Sequence, residues 1–163
     1  MASNVDVVIE TPKGSSQKYD YVPKTPFFKL SKILPSGMCF PYDFGFIPKT
    51  KGEDGDPLDV IVISEFKSFP GVIIPCRIIG GMKAEQSEEK DSKKMIRNDR
   101  FLAVPKCSNI FQEVEKMSDL PKQITDELEE FFIEYNKLEG KKFKALDKIG
   151  PKEAQRLIED QLK

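Results

Sequence analysis

Between residues 53 and 65 the chain reads EDGDPLDVIVISE, which sets Asp54, Asp56 and Asp59 at the mouth of an apolar run. Carboxylates this close repel one another, and an apolar strand does not need them. Asp54 and Asp56 are two apart, so an extended backbone turns both to one side. Gly55 between them permits a tight bend, and Pro57 stiffens the exit. Asp59 falls where the β-prone run begins, so a sheet would hold it rigid. Hard carboxylate oxygens grouped this way suit Mg2+ or Mn2+. The plain alternative is an acidic surface turn, because Asp-Gly and Asp-Pro are common turn pairs. A calcium loop fits poorly. Asp59 occupies the place that demands glycine, Pro57 stands at the fourth position, and the flanks are β-like rather than helical.

Cationic residues supply the complementary chemistry. Lys18 and Lys32 lie in β-prone runs, with Lys29 close by, and Arg97 and Arg100 lead into FLAV. A phosphate-bearing substrate needs such cations beside an ion-holding acidic loop: the ion neutralises some oxygens, and Lys or Arg holds others. Taken singly, most of the lysines read as solvated surface residues. The chain of 163 residues contains no histidine. Any chemistry therefore falls to carboxylates, Lys, Arg, Tyr or a metal.

Composition narrows the classes further. Lys and Arg number 26 against 27 Asp and Glu, a net charge of −1, which argues against a general nucleic-acid or membrane-surface binder. The three cysteines, Cys39, Cys76 and Cys107, are far apart and in no C-x-x-C arrangement, so they read as free thiols in a reducing cytoplasm. MASNVDVVIE lacks the basic-then-apolar order of a secretory signal, and no apolar run approaches the ~20 residues of a membrane span. Residues 1–163 are expected to form a single domain, located in the cytoplasm.

The elements that must position these residues change character along the chain. VDVVIE, KYDYV and FFKLSKIL are short β-prone runs, and CFPYDFGFI follows a PSGM turn. LDVIVIS, VIIPCRIIGG and DRFLAV are rich in β-branched residues. KAEQSEEKDSKKMIRND has almost nothing to bury and reads as a charged hairpin loop between two strands. In ITDELEEFFIEYNKLEG, Ile124, Leu128, Phe131, Phe132, Tyr135 and Leu138 recur at helical spacing, and Gly140 closes the run. A second helix begins near Pro151, with Ala154, Leu157, Ile158 and Leu162 on one face. Strands first and helices last predict an α+β, mainly β fold: a small β-barrel with two C-terminal helices packed outside.

EDGDPLDVIV resembles the D-G-D-P-x-D-V signature of the soluble family I inorganic pyrophosphatases. VVIETPKGSSQKYDY, MCFPYDFGFIPKT, RIIGG, LAVP and FFIEYNKLEGKK are similar to further family segments, in the same order, over nearly the whole chain. The resemblance implies a five-stranded barrel of the OB type, Mg2+ dependence, hydrolysis of pyrophosphate to two phosphates, and a homo-oligomer, a hexamer in the prokaryotic type. It implies that Asp54 and Asp59 are metal ligands and that Asp56 takes the proton from the metal-bridging water. Glu10 and Lys18 match an acidic and a phosphate-binding position, and Tyr135 matches a phosphate-contacting tyrosine. Asp20 stands where the family usually has Glu, Lys32 where it has a phosphate-binding Arg, Phe44 where it has Tyr, and Asn136 where it has Lys. Arg100 matches a Lys and Asn98 falls in register with an Asp. Glu85 and Asp99, or at least one of them, are expected as the second set of metal carboxylates, facing the same cavity as Asp54 and Asp59 with Arg100 beside them; the plain alternative is two solvated residues of a charged loop.

Two readings follow. One is a divergent Mg2+-dependent pyrophosphatase, in which Lys18, Lys32, Arg100 and the metals stabilise charge on the leaving phosphate. The other is a pyrophosphatase-like barrel with weak or lost catalysis that binds phosphate, metal or a partner. An oligonucleotide-binding barrel would want a basic face with interleaved aromatics. CFPYDFGF offers the aromatics with an acid in place of the base.

Overall fold

The computed structural model describes residues 4–162. Five strands close a ring: β1 (Asn4–Thr11), β4 (Asp43–Phe46), β5 (Asp59–Val62), β8 (Arg100–Pro105) and β6 (Ile73–Ser87) pair in that order, and β6 returns to β1. The β5–β8 pair is parallel, and the other four pairs are antiparallel. This is the mainly β architecture that the strand pattern and the resemblance imply.

Alternation along the strands produces two buried layers. Val7, Ile9, Val60, Val62, Ile74, Cys76, Ile78, Phe101 and Ala103 pack together as one cluster, with members from four of the five ring strands. Their odd-and-even partners Ile61, Ile63, Ile79, Leu102 and Val104 form a second. Strands buried on both faces read as continuous apolar runs, which is why LDVIVIS and FLAV stand out in the sequence. Two helices cover the ring from outside. From α2 (Pro151–Asp160), Ala154 and Ile158 join the first cluster. From α1 (Lys122–Leu138), Leu128 and Phe132 join the second. Each of those two side chains contributes about 1.5–3 kcal/mol by leaving water. Leu138, on the predicted apolar stripe, is 53% exposed, so the stripe stops short of the helix end.

Four strands lie outside the ring. β2 (Gln17–Val22) and β3 (Phe27–Ile33) form a separate two-stranded hairpin. β7 (Met95–Arg97) pairs with the far end of β6, so the charged stretch 83–99 is a hairpin extending the sheet. β9 (Phe143–Ile149) lies between the helices and pairs with β6. The sequence reading did not foresee β9. Five of its seven residues are exposed, and a strand held mainly by backbone pairing leaves no apolar alternation to read. Among the described residues, no helix is long and apolar enough to cross a membrane.

Candidate active site

The acidic side chains are aimed by irregularities in the strands. β1 pairs with β4 through Ile9↔Gly45 and Thr11↔Phe44, and the register slips at Glu10 between them. Ile9 and Thr11 stay buried, while Glu10 turns into a cavity of about 600 Å³. A bulge re-aims a side chain in this way. Opposite it, a Cβ on Gly45 would stand 2.2 Å from the Val8 carbonyl oxygen, so only glycine lets the two strands close.

Asp54 and Asp56 reach the same cavity from a turn rather than an extended segment. Gly55 adopts φ +88, the Gly52 N–H donates to the Asp56 carbonyl at 2.8 Å, and the Asp56 N–H donates to Asp54 Oδ1 at 3.1 Å. Asp59 opens β5, and the parallel pairing sets it directly beside Arg100, which opens β8. Two strand starts in register thus deliver a carboxylate and a guanidinium side by side.

Of the residues singled out in the sequence, Glu10, Lys18, Asp20, Lys32, Asp54, Asp56, Asp59, Arg100 and Tyr135 all line this one cavity. Lys18 is ion-paired with Asp20 across the β2 face. Lys32 binds Glu139 at 2.9 Å and stands 5.0 Å from the centre of the Tyr135 ring. Glu85 and Asp99 do not line the cavity, contrary to expectation. Asp99 is held by the Arg97 guanidinium at 3.0 and 2.7 Å and accepts the Ala84 N–H at 3.1 Å. Glu85 pairs across β6 with Arg97 on one side and Lys144 on the other. The Asp99 carboxylate braces the hairpin, and Glu85 lies on the part of β6 that runs past the ring into the β6–β7 extension.

Sequence reasoning missed Gln86 and Glu139, both of which line the cavity. Glu139 lies four residues after Tyr135, one helical turn on, and that spacing was a usable signal. Gln86 had none, since it sits inside a charged stretch read as loop. Phe44, in place of a tyrosine, packs edge-on to Phe40 at 4.8 Å and contributes no hydroxyl. Asn136 turns its amide back to the Phe132 carbonyl at 2.9 Å.

The electrostatics separate the carboxylates. Burial, aided by repulsion from Asp59 and Asp20, pushes Glu10 up to about 7 against the pull of the Tyr21 N–H and Lys18. Burial pushes Asp59 up to about 6, with Arg100 and Lys18 opposing and Asp54 and Asp56 assisting. Asp54 is also raised, chiefly by burial. Burial, then the Glu139 charge, raises the Tyr135 phenol far beyond its ordinary value. Its hydroxyl is buried and has no hydrogen-bond partner among the described residues.

These residues fit a divalent cation on one side. Asp59 accepts no hydrogen bond from the described residues, and burial with like-charge repulsion leaves its carboxylate wanting a cation. Asp54, Glu10 and Asp20 stand around the same space. Among the described residues no three acidic or thiol groups converge closely enough to cage an ion unaided, so the protein offers a half-shell that substrate oxygens and water must complete.

A closed five-stranded ring with two outer helices, holding carboxylates and cations around one cavity, defines a class of small barrels built for phosphate and metal chemistry. The inorganic pyrophosphatase family model matches residues 7–163. The chain is 34% identical to the inorganic pyrophosphatase of Thermus thermophilus, over 96% of this chain and 85% of that one. It is 36% identical to that of Geobacillus stearothermophilus, over 96% and 90%. The solved structure of the Thermus thermophilus enzyme superposes with a TM-score of 0.87 at 32% identity, covering 96% of this chain and 87% of that one. An inorganic phosphatase structure from Anaplasma phagocytophilum gives 0.88 at 31%, covering 97% and 91%. The chain belongs to the inorganic pyrophosphatase family.

Proposed function

We propose that this protein hydrolyses inorganic pyrophosphate to two phosphates with Mg2+ as its cofactor and Mn2+ as an alternative. The observation that carries the reading is the convergence of six carboxylates, four cations and a buried hydroxyl unpartnered among the described residues on one cavity. Asp54 and Asp59, supported by Glu10 and Asp20, are the residues to hold the cation. A divalent ion bound there acts as a Lewis acid and lowers the pKa of water toward neutrality. Asp56 is exposed and lines the cavity, where it accepts the proton of the attacking water. Lys18 and Lys32 flank the space from the β2–β3 hairpin and hold phosphate oxygens by charge. Arg100 and the Tyr135 hydroxyl are further donors facing the same space. One oxygen–phosphorus bond forms from water as the bridging bond breaks, and the cations stabilise the charge gathering on the leaving phosphate.

The second reading, a barrel that binds phosphate with weak catalysis, is favoured by one observation: Glu85 and Asp99 stand outside the cavity, and Gln86 and Asn98 line it instead. Phosphate release from pyrophosphate, measured with and without Mg2+ between pH 6 and 9, separates the two. The same reading takes residues 1–163 as one working unit of a cytoplasmic homo-oligomer, a hexamer by family resemblance. Phe27 and Ile33, each 72% exposed, and Ile110, 71% exposed, support association, because large apolar side chains in water mark contact surfaces. Sedimentation at micromolar concentration tests it, with a monomer as the contrary result.

A further inference from the structure

The part of the cavity built by β6, β8 and the residue before Asp99 carries a fixed cation and no carboxylate. Its lining residues are Gln86, Asn98 and Arg100. Arg100 is only 7% exposed. Its Nη1 donates to the Asn98 carbonyl at 2.8 Å and its Nη2 to Gln86 Oε1 at 2.9 Å. The guanidinium carbon lies 4.2 Å from the centre of the Phe132 ring and 5.3 Å from that of Phe143. The groups that hydrogen-bond or stack on this cation are electrically neutral; Asp59 and Asp54 attract it through space, and among the described residues no carboxylate forms an ion pair with it. Arginine keeps its charge even when buried.

Resting on the pyrophosphatase reading of the same cavity, we propose that the neutral amide of Gln86 contacts Arg100 without pairing its charge, so that this wall takes phosphate oxygens directly, without a metal ion. The choice of amide over carboxylate decides the matter. A glutamate of nearly the same shape could accept the same N–H, but the charge-assisted pair would neutralise the guanidinium. It would also add another acid to the cavity that holds Asp54 and Asp59, and the wall would then attract a cation rather than an anion. In a poorly solvated cavity that reversal is strong, since charges there are weakly screened.

The experiment titrates inorganic phosphate by calorimetry, in buffer containing EDTA, into the wild-type protein and the variants Gln86→Glu and Gln86→Met. Thermal melts check that each variant is folded. Wild type binds phosphate without metal, Gln86→Glu weakens that binding at least about tenfold through like-charge repulsion, and Gln86→Met, neutral and similar in volume, stays within about threefold. A merely structural role predicts the reverse order, because only the glutamate keeps the acceptor. A separate Mn2+ titration tightens in Gln86→Glu. Equal phosphate affinity in wild type and Gln86→Glu, or a loss in Gln86→Met as large as in Gln86→Glu, overturns the proposal. So does a wild-type protein that takes up no phosphate without metal, whether or not the variants fold. Pyrophosphate hydrolysis without metal-free phosphate binding refutes this inference and spares the proposed function. Metal-free binding without hydrolysis does the opposite.

Discussion

The two sides of the cavity solve opposite electrostatic problems. On one side the β1 bulge, the 54–56 turn and the start of β5 bring acids together with few hydrogen-bond donors, and Glu10 and Asp59 are pushed up to about 7 and about 6 by burial. On the other side β6, β8 and α1 surround a guanidinium with neutral acceptors and aromatic rings. The first side is unstable alone and improves when a cation arrives. The second is complete alone and improves when an anion arrives. A phosphate–metal complex satisfies both at once, and that pairing is what the barrel positions.

The comparison breaks most sharply at Asp59. Asp59→Asn is expected to lower turnover on pyrophosphate by roughly 10³-fold and to weaken Mn2+ binding, because a buried metal-facing charge disappears. Retained Mn2+ affinity, read by calorimetry, would show that the carboxylate side is not where the ion sits. Arg100→Met tests the other side. Turnover is expected to drop about 10²-fold, with Mn2+ affinity in the absence of substrate unchanged or higher, since a repelling cation is gone.

The pH dependence follows from the raised carboxyls. Glu10 and Asp59 have ordinary values of 4.5 and 3.8 and folded values of about 7 and about 6. Between those limits the metal-free folded state binds more protons than the unfolded chain. The stability these protons contribute is fully present below about pH 4 and is lost as pH rises through 6 to 7. Bound metal must displace the same protons, so Mn2+ affinity is expected to climb severalfold from pH 5.5 to 8. Flat affinity across that range would mean the two acids are not in the ion's shell.

Tyr135→Phe separates function from folding. The hydroxyl is buried and unpartnered among the described residues, so removing it relieves a desolvated group and leaves stability within about 0.5 kcal/mol or slightly improved. Turnover is expected to fall about tenfold if the hydroxyl donates to substrate. The smallest effect is expected at Asp99. Asp99→Asn leaves phosphate release unchanged within twofold, while losing the Arg97 ion pair costs about 1 kcal/mol in a denaturant melt. A large loss of activity would place Asp99 in the chemistry after all.

The carboxylate side was legible in the sequence because its geometry is local. Asp54, Gly55, Asp56 and Asp59 lie within six residues, and turn chemistry alone brings them together. Tyr135 was legible through helical spacing. The other side was not, because it is made by register. Gln86 meets Arg100 only because β6 and β8 are neighbours and β6 runs on to Ser87, and no pattern inside the charged stretch reveals how far that strand continues. Glu85 misled for the same reason: alternation along β6 turns it away from its neighbour Gln86. β9 escaped because exposed strands carry no burial signal.

The most direct test of the whole account is phosphate release from pyrophosphate by the purified wild-type protein, compared with and without Mg2+. Two walls built for a metal–phosphate complex predict release that depends on the metal and is abolished by chelation. No release above background with Mg2+ or Mn2+ at any pH from 6 to 9 would contradict the account and leave a barrel that binds phosphate without cleaving it.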